Sequence, residues 1–211
     1  MTVAALFCRF DTVYRLFPGV DVFDMERDAL NWSGGCSVIA HPPCRLWSRL
    51  AHMSTAPETE RELARWAVQQ VRRWGGVLEH PAWSTLWVYQ GLPLPGKRDS
   101  FGGWTLPVVQ FWWGHEAMKS TFLYIVGVEP RNIPVMPLVL GEAPRVCGTS
   151  GRRRDGSRQS RRPELTKAAR EATPYAFARW LVELAGLCNT GQSPMGGTFT
   201  SSDGSNRALL S

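Results

Sequence analysis

The sequence lacks the paired cysteines on which disulfide-rich folds and cysteine-rich zinc sites depend. Its five cysteines lie far apart, and no two of them form a C-x-x-C pair. An odd number of scattered cysteines is typical of free thiols in a reducing compartment. We therefore expect neither a disulfide framework nor a cysteine-rich zinc site.

Long apolar runs are also missing. No stretch reaches the roughly 18–20 apolar residues that span a bilayer, and residues 1–10 lack the basic and then apolar layout of a secretion signal. We expect a cytoplasmic protein with no membrane partner. The 211 residues, 44% of them apolar, suit one domain with a real core.

Strand patterns alternate with helix patterns over most of the chain. The predicted strands are Val3–Phe7, Val20–Phe23, Ser37–Ala40, Val77–Leu78, Thr105–Trp112 and Thr121–Val128. The predicted helices are Asp11–Phe17, Met25–Asn31, Arg45–Ala51, Thr59–Trp74, Pro163–Arg170 and Pro174–Leu187. This order predicts an α/β domain over residues 1–188, with a mostly parallel sheet and an antiparallel pair at one edge. The Gly/Ser-rich residues 189–211 are predicted to form a disordered tail.

Positive charge is concentrated in one segment. The net charge is +6, and residues 145–162 hold seven arginines against one aspartate. With their glycines and serines, residues 145–163 are typical of a flexible basic loop. We expect it to bind nucleic-acid phosphates, although a solvated loop with no partner would have the same composition. The expected nucleic-acid contacts are Arg152, Arg153, Arg154, Arg158, Arg161 and Arg162.

Two predicted strands end in unusual polar clusters, His41-Pro-Pro-Cys44 and Glu79-His80-Pro81. Ligands of open α/β sheets bind outside the carboxyl ends of the strands. A thiolate can add to C6 of a pyrimidine ring while a carboxyl group supports N3. We expect the helix that begins near Arg45 to lower the pKa of the Cys44 thiol.

Several segments carry a resemblance to a known enzyme family. Pro43-Cys44 with Trp47-Ser48 is similar to a nucleophile motif, and residues 77–81 (VLEHP) are similar to the motif of a catalytic glutamate. Residues 114–121 (GHEAMKST) resemble a basic strand entry that touches cytosine, and the helix after Thr173-Pro174 is placed like a closing motif. On these residues the chain resembles the cytosine-C5 DNA methyltransferases, in a small form of the phage or prophage type.

The resemblance implies a fold, a cofactor, a partner and a set of site residues. The fold is a Rossmann-like methyltransferase architecture, the cofactor is S-adenosylmethionine, and the partner is DNA. Cys44 is then the nucleophile and Glu79 the group that assists at N3. The implied substrate-binding residues are Arg45, Ser48, His80 and Lys119, and the implied cofactor-binding residues are Phe7, Asp24 and Glu26.

The chain departs from that family in two respects. Residues 7–12 (FCRFDT) contain no glycine where the family has a Gly-rich cofactor loop, and the large target-recognition domain is missing. A second reading is therefore a catalytically degenerate methyltransferase fold. Such a phage factor would bind DNA or another protein, for instance to counter a host defence.

A third reading is a metal-dependent hydrolase or deaminase-like enzyme. Imidazoles and a thiolate suit zinc, and His41, Cys44, His80 and His115 supply them, with Glu79 as the proton carrier. Plainer roles also remain open. Cys44 alone is compatible with a buried thiol, and Asp24 with a carboxylate that caps the next helix.

Overall fold

A six-stranded sheet forms the centre of the molecule. The computed structural model describes residues 2–48, 51–148, 154–157 and 161–188. The strands are β1 (Val3–Leu6), β2 (Val20–Val22), β3 (Ser37–Ala40), β4 (Gly76–Pro81), β5 (Trp104–Val109) and β6 (Ser120–Val126), in the order β2-β1-β3-β4-β6-β5. Strands β1 to β4 are parallel, whereas β6 is antiparallel to both of its neighbours, β4 and β5. The expected α/β sheet, mostly parallel with an antiparallel edge pair, is confirmed and is compatible with a Rossmann-like fold.

Helices cover both faces of the sheet. The α-helices are α1 (Glu60–Trp74), α2 (Leu86–Tyr89), α3 (Lys167–Glu171) and α4 (Tyr175–Leu187). Short 3-10 helices are present at Val13–Leu16, Ala29–Asn31, Arg45–Trp47, Ala51–Met53, Gln110–Trp113 and Pro130–Asn132. Helix α1 packs on one face and α4 on the other. None of the described helices is both long enough and apolar enough to cross a bilayer.

Two apolar clusters lie on the two faces of the sheet, and the strands contribute alternate side chains to them. Ile39 and Val77 belong to the cluster on the α4 face, whereas Val38, Ala40 and Leu78 belong to the cluster on the α1 face. Successive side chains of a strand point to opposite faces. The next two residues of β4, Glu79 and His80, are therefore directed to opposite faces of the sheet.

Strands β3 and β4 approach closely at Gly76. This residue has φ +123°, and a Cβ placed on it would overlap the backbone carbonyl of Val38. Only glycine combines this backbone conformation with so short a distance to the neighbouring strand. Gly76 thereby fixes the spacing of the two strands that carry the candidate site.

Three of the predicted helices are shorter than expected. In the described residues, Asp11–Phe17, Met25–Asn31 and Arg45–Ala51 contain 3-10 helices at Val13–Leu16, Ala29–Asn31 and Arg45–Trp47. Helix nucleation is unfavourable in free energy, and such short segments have no long apolar face whose burial would offset it. The short helix α2 was not predicted. The predicted tail, residues 189–211, lies outside the described residues.

Candidate active site

Two neighbouring parallel strands bring His41 and Glu79 together at their carboxyl ends. Ala40 of β3 is paired with Leu78 of β4, so that the following residues of the two strands are neighbours. His41 Nδ1 lies 3.1 Å from Glu79 Oε2. The two polar clusters therefore lie at the same edge of the sheet.

Glu79 is the centre of a buried hydrogen-bond network. Gln110 Nε2 donates to Glu79 Oε1 at 2.9 Å and to Thr121 Oγ1 at 3.0 Å. His41 Nε2 lies 2.9 Å from the Tyr14 hydroxyl. The consistent assignment is that His41 donates from Nδ1 to the carboxylate and accepts from Tyr14 at Nε2. Tyr14 and Gln110 were not singled out from the sequence.

The network keeps Glu79 ionised. Burial alone would raise the pKa of this carboxyl group, but the charge of Lys119, the hydrogen bond from His41 and electrostatic interactions with the His41 and His80 rings lower it to about 2. A charged carboxylate that accepts several hydrogen bonds is favoured over its neutral form. At neutral pH Glu79 is therefore a fixed negative charge that can accept a proton.

Cys44 lies at the start of the 3-10 helix Arg45–Trp47 and is exposed at the protein surface. Desolvation by the surrounding protein and the charge of Glu79 raise the pKa of its thiol, and Lys119 opposes them. The expected lowering by a helix N-terminus was wrong, because a helix of three residues has a small dipole. Cys44 is thus a neutral thiol close to an ionised carboxylate. All five cysteines lie within the described residues, and all are free thiols.

A pocket of about 330 Å³ opens beside the thiol. Its walls include Cys44, Trp47, Ser48, His80, Trp83 and Ser84. Trp83 follows β4 and has φ +63°, which is unusual for a residue with a side chain. Such a conformation costs about 1–3 kcal/mol and is concentrated at functional sites. The Trp83 ring packs on Phe122, with 5.3 Å between the ring centroids.

His80 belongs to this pocket and not to the Glu79 network. Its side chain is buried beside Trp87, on the α1 face. Burial lowers the pKa of His80 to about 4, and the charge of Glu79 only partly opposes this. The backbone carbonyl of Pro43 also favours the protonated form, but neither ring nitrogen has a hydrogen bond of normal geometry to a described residue. His80 is therefore a neutral imidazole.

The other residues expected to bind substrate differ in their availability. Lys119 is half-buried, and its charge acts on both Glu79 and Cys44. The Arg45 guanidinium is engaged by Glu60, with Nε donating to the two carboxylate oxygens at 2.7 and 2.9 Å. Ser48 donates to the Arg45 carbonyl at 3.3 Å. Lys119 is thus the cation that acts on both candidate catalytic groups, whereas Arg45 is held by Glu60.

The residues expected to bind S-adenosylmethionine are held by contacts within the protein. Asp24 Oδ1 accepts the backbone N–H groups of Glu26 and Arg27 at 3.0 and 3.1 Å, and Oδ2 accepts from Arg15. Phe7 has φ +60°, and its ring packs on Trp66. The Asp24 carboxylate therefore caps a turn, and Glu26 is exposed. These residues do not fit a ribose site.

Within the loop that follows β1, Arg9 makes two hydrogen bonds to Asp11, at 2.8 and 3.0 Å, and one to Glu171 of α3 at 3.3 Å. The loop is thus tied by charged pairs, and no glycine there allows the backbone to approach a bound nucleotide closely.

The basic segment is only partly described. Arg152, Arg153 and Arg158 lie outside the described residues. Arg154 and Arg161 are exposed. Arg162 donates to the Ala143 carbonyl at 2.8 Å and pairs with Glu142 at 3.5 Å, so this arginine has contacts within the protein.

The potential metal ligands do not converge. His41 is engaged by Glu79 and Tyr14, His80 faces the Cys44 pocket, and His115 is bonded to Ala117 through Nδ1. In the described part of the chain, no group of three His, Cys, Asp or Glu side chains is arranged to hold a metal ion.

Comparison of the chain with family models, curated proteins and solved structures gives no match.

Proposed function

We propose that this protein modifies a pyrimidine base of DNA, with Cys44 adding to C6 of the ring and Glu79 supplying the proton needed at N3. The observation that supports this most directly is the approach of a neutral thiol and an ionised carboxylate. Glu79 lies 3.1 Å from His41, three residues before Cys44, and its charge acts on the Cys44 thiol, while the charge of Lys119 acts on both groups. The pair holds one transferable proton, and attack on a pyrimidine requires one.

The proposed step balances its atoms and charges. The sulfur forms a bond to C6 as the thiol proton passes to Glu79 and then to N3. The C5=C6 electron pair moves to C4=C5, and the C4=N3 pair moves to N3, which takes the proton. The neutral adduct has a nucleophilic C5, and reversal of the step restores the base and the thiol.

The surrounding residues have positioning roles in this scheme. His41 and Gln110 hold the two carboxylate oxygens of Glu79, and Tyr14 fixes the His41 ring from the opposite nitrogen. Lys119 would contact the base O2 or a phosphate. The resemblance implies S-adenosylmethionine as the methyl donor for C5, but the contacts of Asp24 and Phe7 do not support its binding there. The proposal therefore concerns activation of the base.

A donor-independent assay tests the activation. In D₂O, the nucleophilic C5 of the adduct takes up deuterium and releases its hydrogen when the thiol leaves. We expect single-stranded DNA that contains cytosine to gain mass at C5 with the wild type and not with Cys44→Ser. Cys147→Ser, which removes another exposed thiol, is the matched control and should retain exchange. Exchange that persists in Cys44→Ser would reject the nucleophile.

A second candidate function is a DNA-binding or protein-binding factor without catalysis. The internal contacts of Asp24 and Arg9 favour it, because they occupy the loop positions expected to hold a cofactor. DNA binding that survives in Cys44→Ala, together with no altered nucleoside in DNA from cells expressing the wild type, would support this alternative.

A further inference from the structure

An apolar segment follows β6 and is exposed along much of its length. Residues 134–140 (PVMPLVL), which we call the apolar segment, come after the 3-10 helix Pro130–Asn132 and contain no helix, strand or turn. Val135 is 92% exposed, Leu140 85% and Leu138 71%. Single exposed apolar residues are common on protein surfaces, whereas a run of them marks an interaction surface.

The apolar segment is held by the rest of the protein at few points. Trp180 of α4 donates through Nε1 to the carbonyls of Pro134 and Val135, each at 3.2 Å. Met136 packs against the apolar cluster on the α4 face. Apart from the two bonds from Trp180, the backbone of the apolar segment makes no hydrogen bond to a described residue. A row of free N–H and C=O groups beside apolar side chains is a template to which another strand can add.

The two ends of the apolar segment carry opposite charges. Arg131, shortly before it, is exposed and forms no ion pair with a described residue. Glu142, shortly after it, is exposed and lies 3.5 Å from Arg162. If two copies of the segment run antiparallel, the Arg131 end of each copy meets the Glu142 end of the other. Parallel pairing in register would bring like charges together, which is destabilising.

The two prolines are compatible with the antiparallel arrangement. In an antiparallel pair, alternate residues make the hydrogen bonds of the ladder, and proline cannot donate one. A two-fold axis at Pro137 places this residue opposite its own copy, in a pair without hydrogen bonds. Met136 and Leu138 then bond to each other across the two copies, and Leu140 donates to the Pro134 carbonyl of the other copy. A two-fold contact of this kind closes on itself, so it gives a dimer and not a filament.

We propose that the apolar segment is a dimerisation strand, which pairs antiparallel with the same segment of a second copy of the chain. Val135 of each copy then lies opposite Val139 of the other, and the backbone groups that are free in one copy gain partners. Dimerisation in this way is independent of the chemistry proposed at Cys44.

The opposite charges at the two ends allow a test by charge exchange. The dimer dissociation constant of the full-length protein is measured by sedimentation at micromolar concentrations. We expect the wild type to form a dimer, and Arg131→Glu and Glu142→Arg alone each to weaken it by about 10-fold or more, because each change places like charges together twice. The double variant Arg131→Glu/Glu142→Arg should regain the affinity of the wild type. A double variant weaker than either single one would overturn antiparallel pairing.

A charge within the apolar segment tests the strand itself. Leu138→Lys should give a monomer with an unchanged circular dichroism spectrum, because Leu138 is exposed and a lysine on an edge strand opposes pairing. Met25→Lys is the matched control, since Met25 is an exposed apolar residue that follows β2, and it should remain a dimer. A wild type that is monomeric throughout, or a dimer that Leu138→Lys leaves intact, would overturn the inference.

Cross-linking tests the position of the two-fold axis. In a Cys44→Ser/Cys147→Ser background, which removes the exposed native thiols, Pro137→Cys should form a disulfide between two copies in oxidised glutathione. Leu140→Cys should not, because its two copies would lie about 20 Å apart along the paired strands. The reverse result would overturn the axis at Pro137. Failure of C5 exchange would count against the proposed function alone and would leave these outcomes unchanged.

Discussion

The ionised state of Glu79 gives a direct prediction of how stability depends on pH. The pKa of this buried carboxyl falls from its usual 4.5 to about 2 in the folded protein. A group whose pKa is lowered on folding stabilises the protein above its unfolded pKa, and this stabilisation is lost as the pH falls through the folded pKa. The shift corresponds to about 3 kcal/mol at neutral pH, of which about 2 kcal/mol should be lost between pH 7 and pH 3.

The substitution Glu79→Gln isolates this contribution, because glutamine has the same size but does not ionise. We expect the variant to be less stable than the wild type by about 3 kcal/mol at pH 7 and by about 1 kcal/mol at pH 3. Urea unfolding of both proteins across this range gives the difference, in which the other carboxyl groups cancel. Asp11→Asn, which changes an exposed carboxylate, is the control and should show a smaller dependence on pH. A constant difference between wild type and Glu79→Gln from pH 7 to pH 3 would refute the assignment of an ionised, hydrogen-bonded Glu79.

Three further predictions concern the thiol, the strained tryptophan and the strand contact. Glu79→Gln should speed alkylation of Cys44 by iodoacetamide at pH 8, because the charge of Glu79 raises the thiol pKa. The same substitution should abolish C5 exchange. Alkylation and exchange rates that change in the same direction would contradict the proposed proton path. Trp83→Gly should be more stable than Trp83→Ala by about 1 kcal/mol in thermal unfolding, since glycine accepts the left-handed backbone at this position. Equal melting temperatures of the two variants would argue against backbone strain at Trp83. Gly76→Ala should reduce stability by more than about 3 kcal/mol, as its Cβ overlaps the Val38 carbonyl, and a near-native unfolding midpoint in urea would show that the two strands can separate.

The sequence predicted the sheet because its strands are short buried apolar runs that end at polar residues. It also predicted polar clusters at the ends of two strands, and in the structure these strands are the parallel neighbours β3 and β4. Gln110 and Tyr14 were missed because their contacts are made far along the chain. Gln110 lies 31 residues from Glu79, and Tyr14 lies 27 residues from His41. No local pattern marks such partners, and only the folded sheet brings them together.

The thiol pKa was predicted with the wrong sign for a related reason. The sequence interpretation assigned a helix dipole to the segment after Cys44, whereas the structure has a 3-10 helix of three residues there. The largest influence is desolvation by burial, and the next is the charge of Glu79, which lies far along the chain from Cys44. Electrostatic effects at a site are sums over every nearby group, so a prediction from one local element omits most of the sum.

The alternation of β4 explains why two adjacent residues have different chemistry. Glu79 is directed into the network of His41 and Gln110, where hydrogen bonds and Lys119 stabilise its charge. His80 is directed into the Cys44 pocket, where burial keeps its imidazole neutral. One strand thus presents an ionised carboxylate on one face of the sheet and an uncharged imidazole on the other. Under the proposed function, His80→Asn, which keeps a neutral polar group, should preserve the Glu79 network and alter which base is bound. Gln110→Leu should instead weaken proton transfer without changing which base enters the pocket.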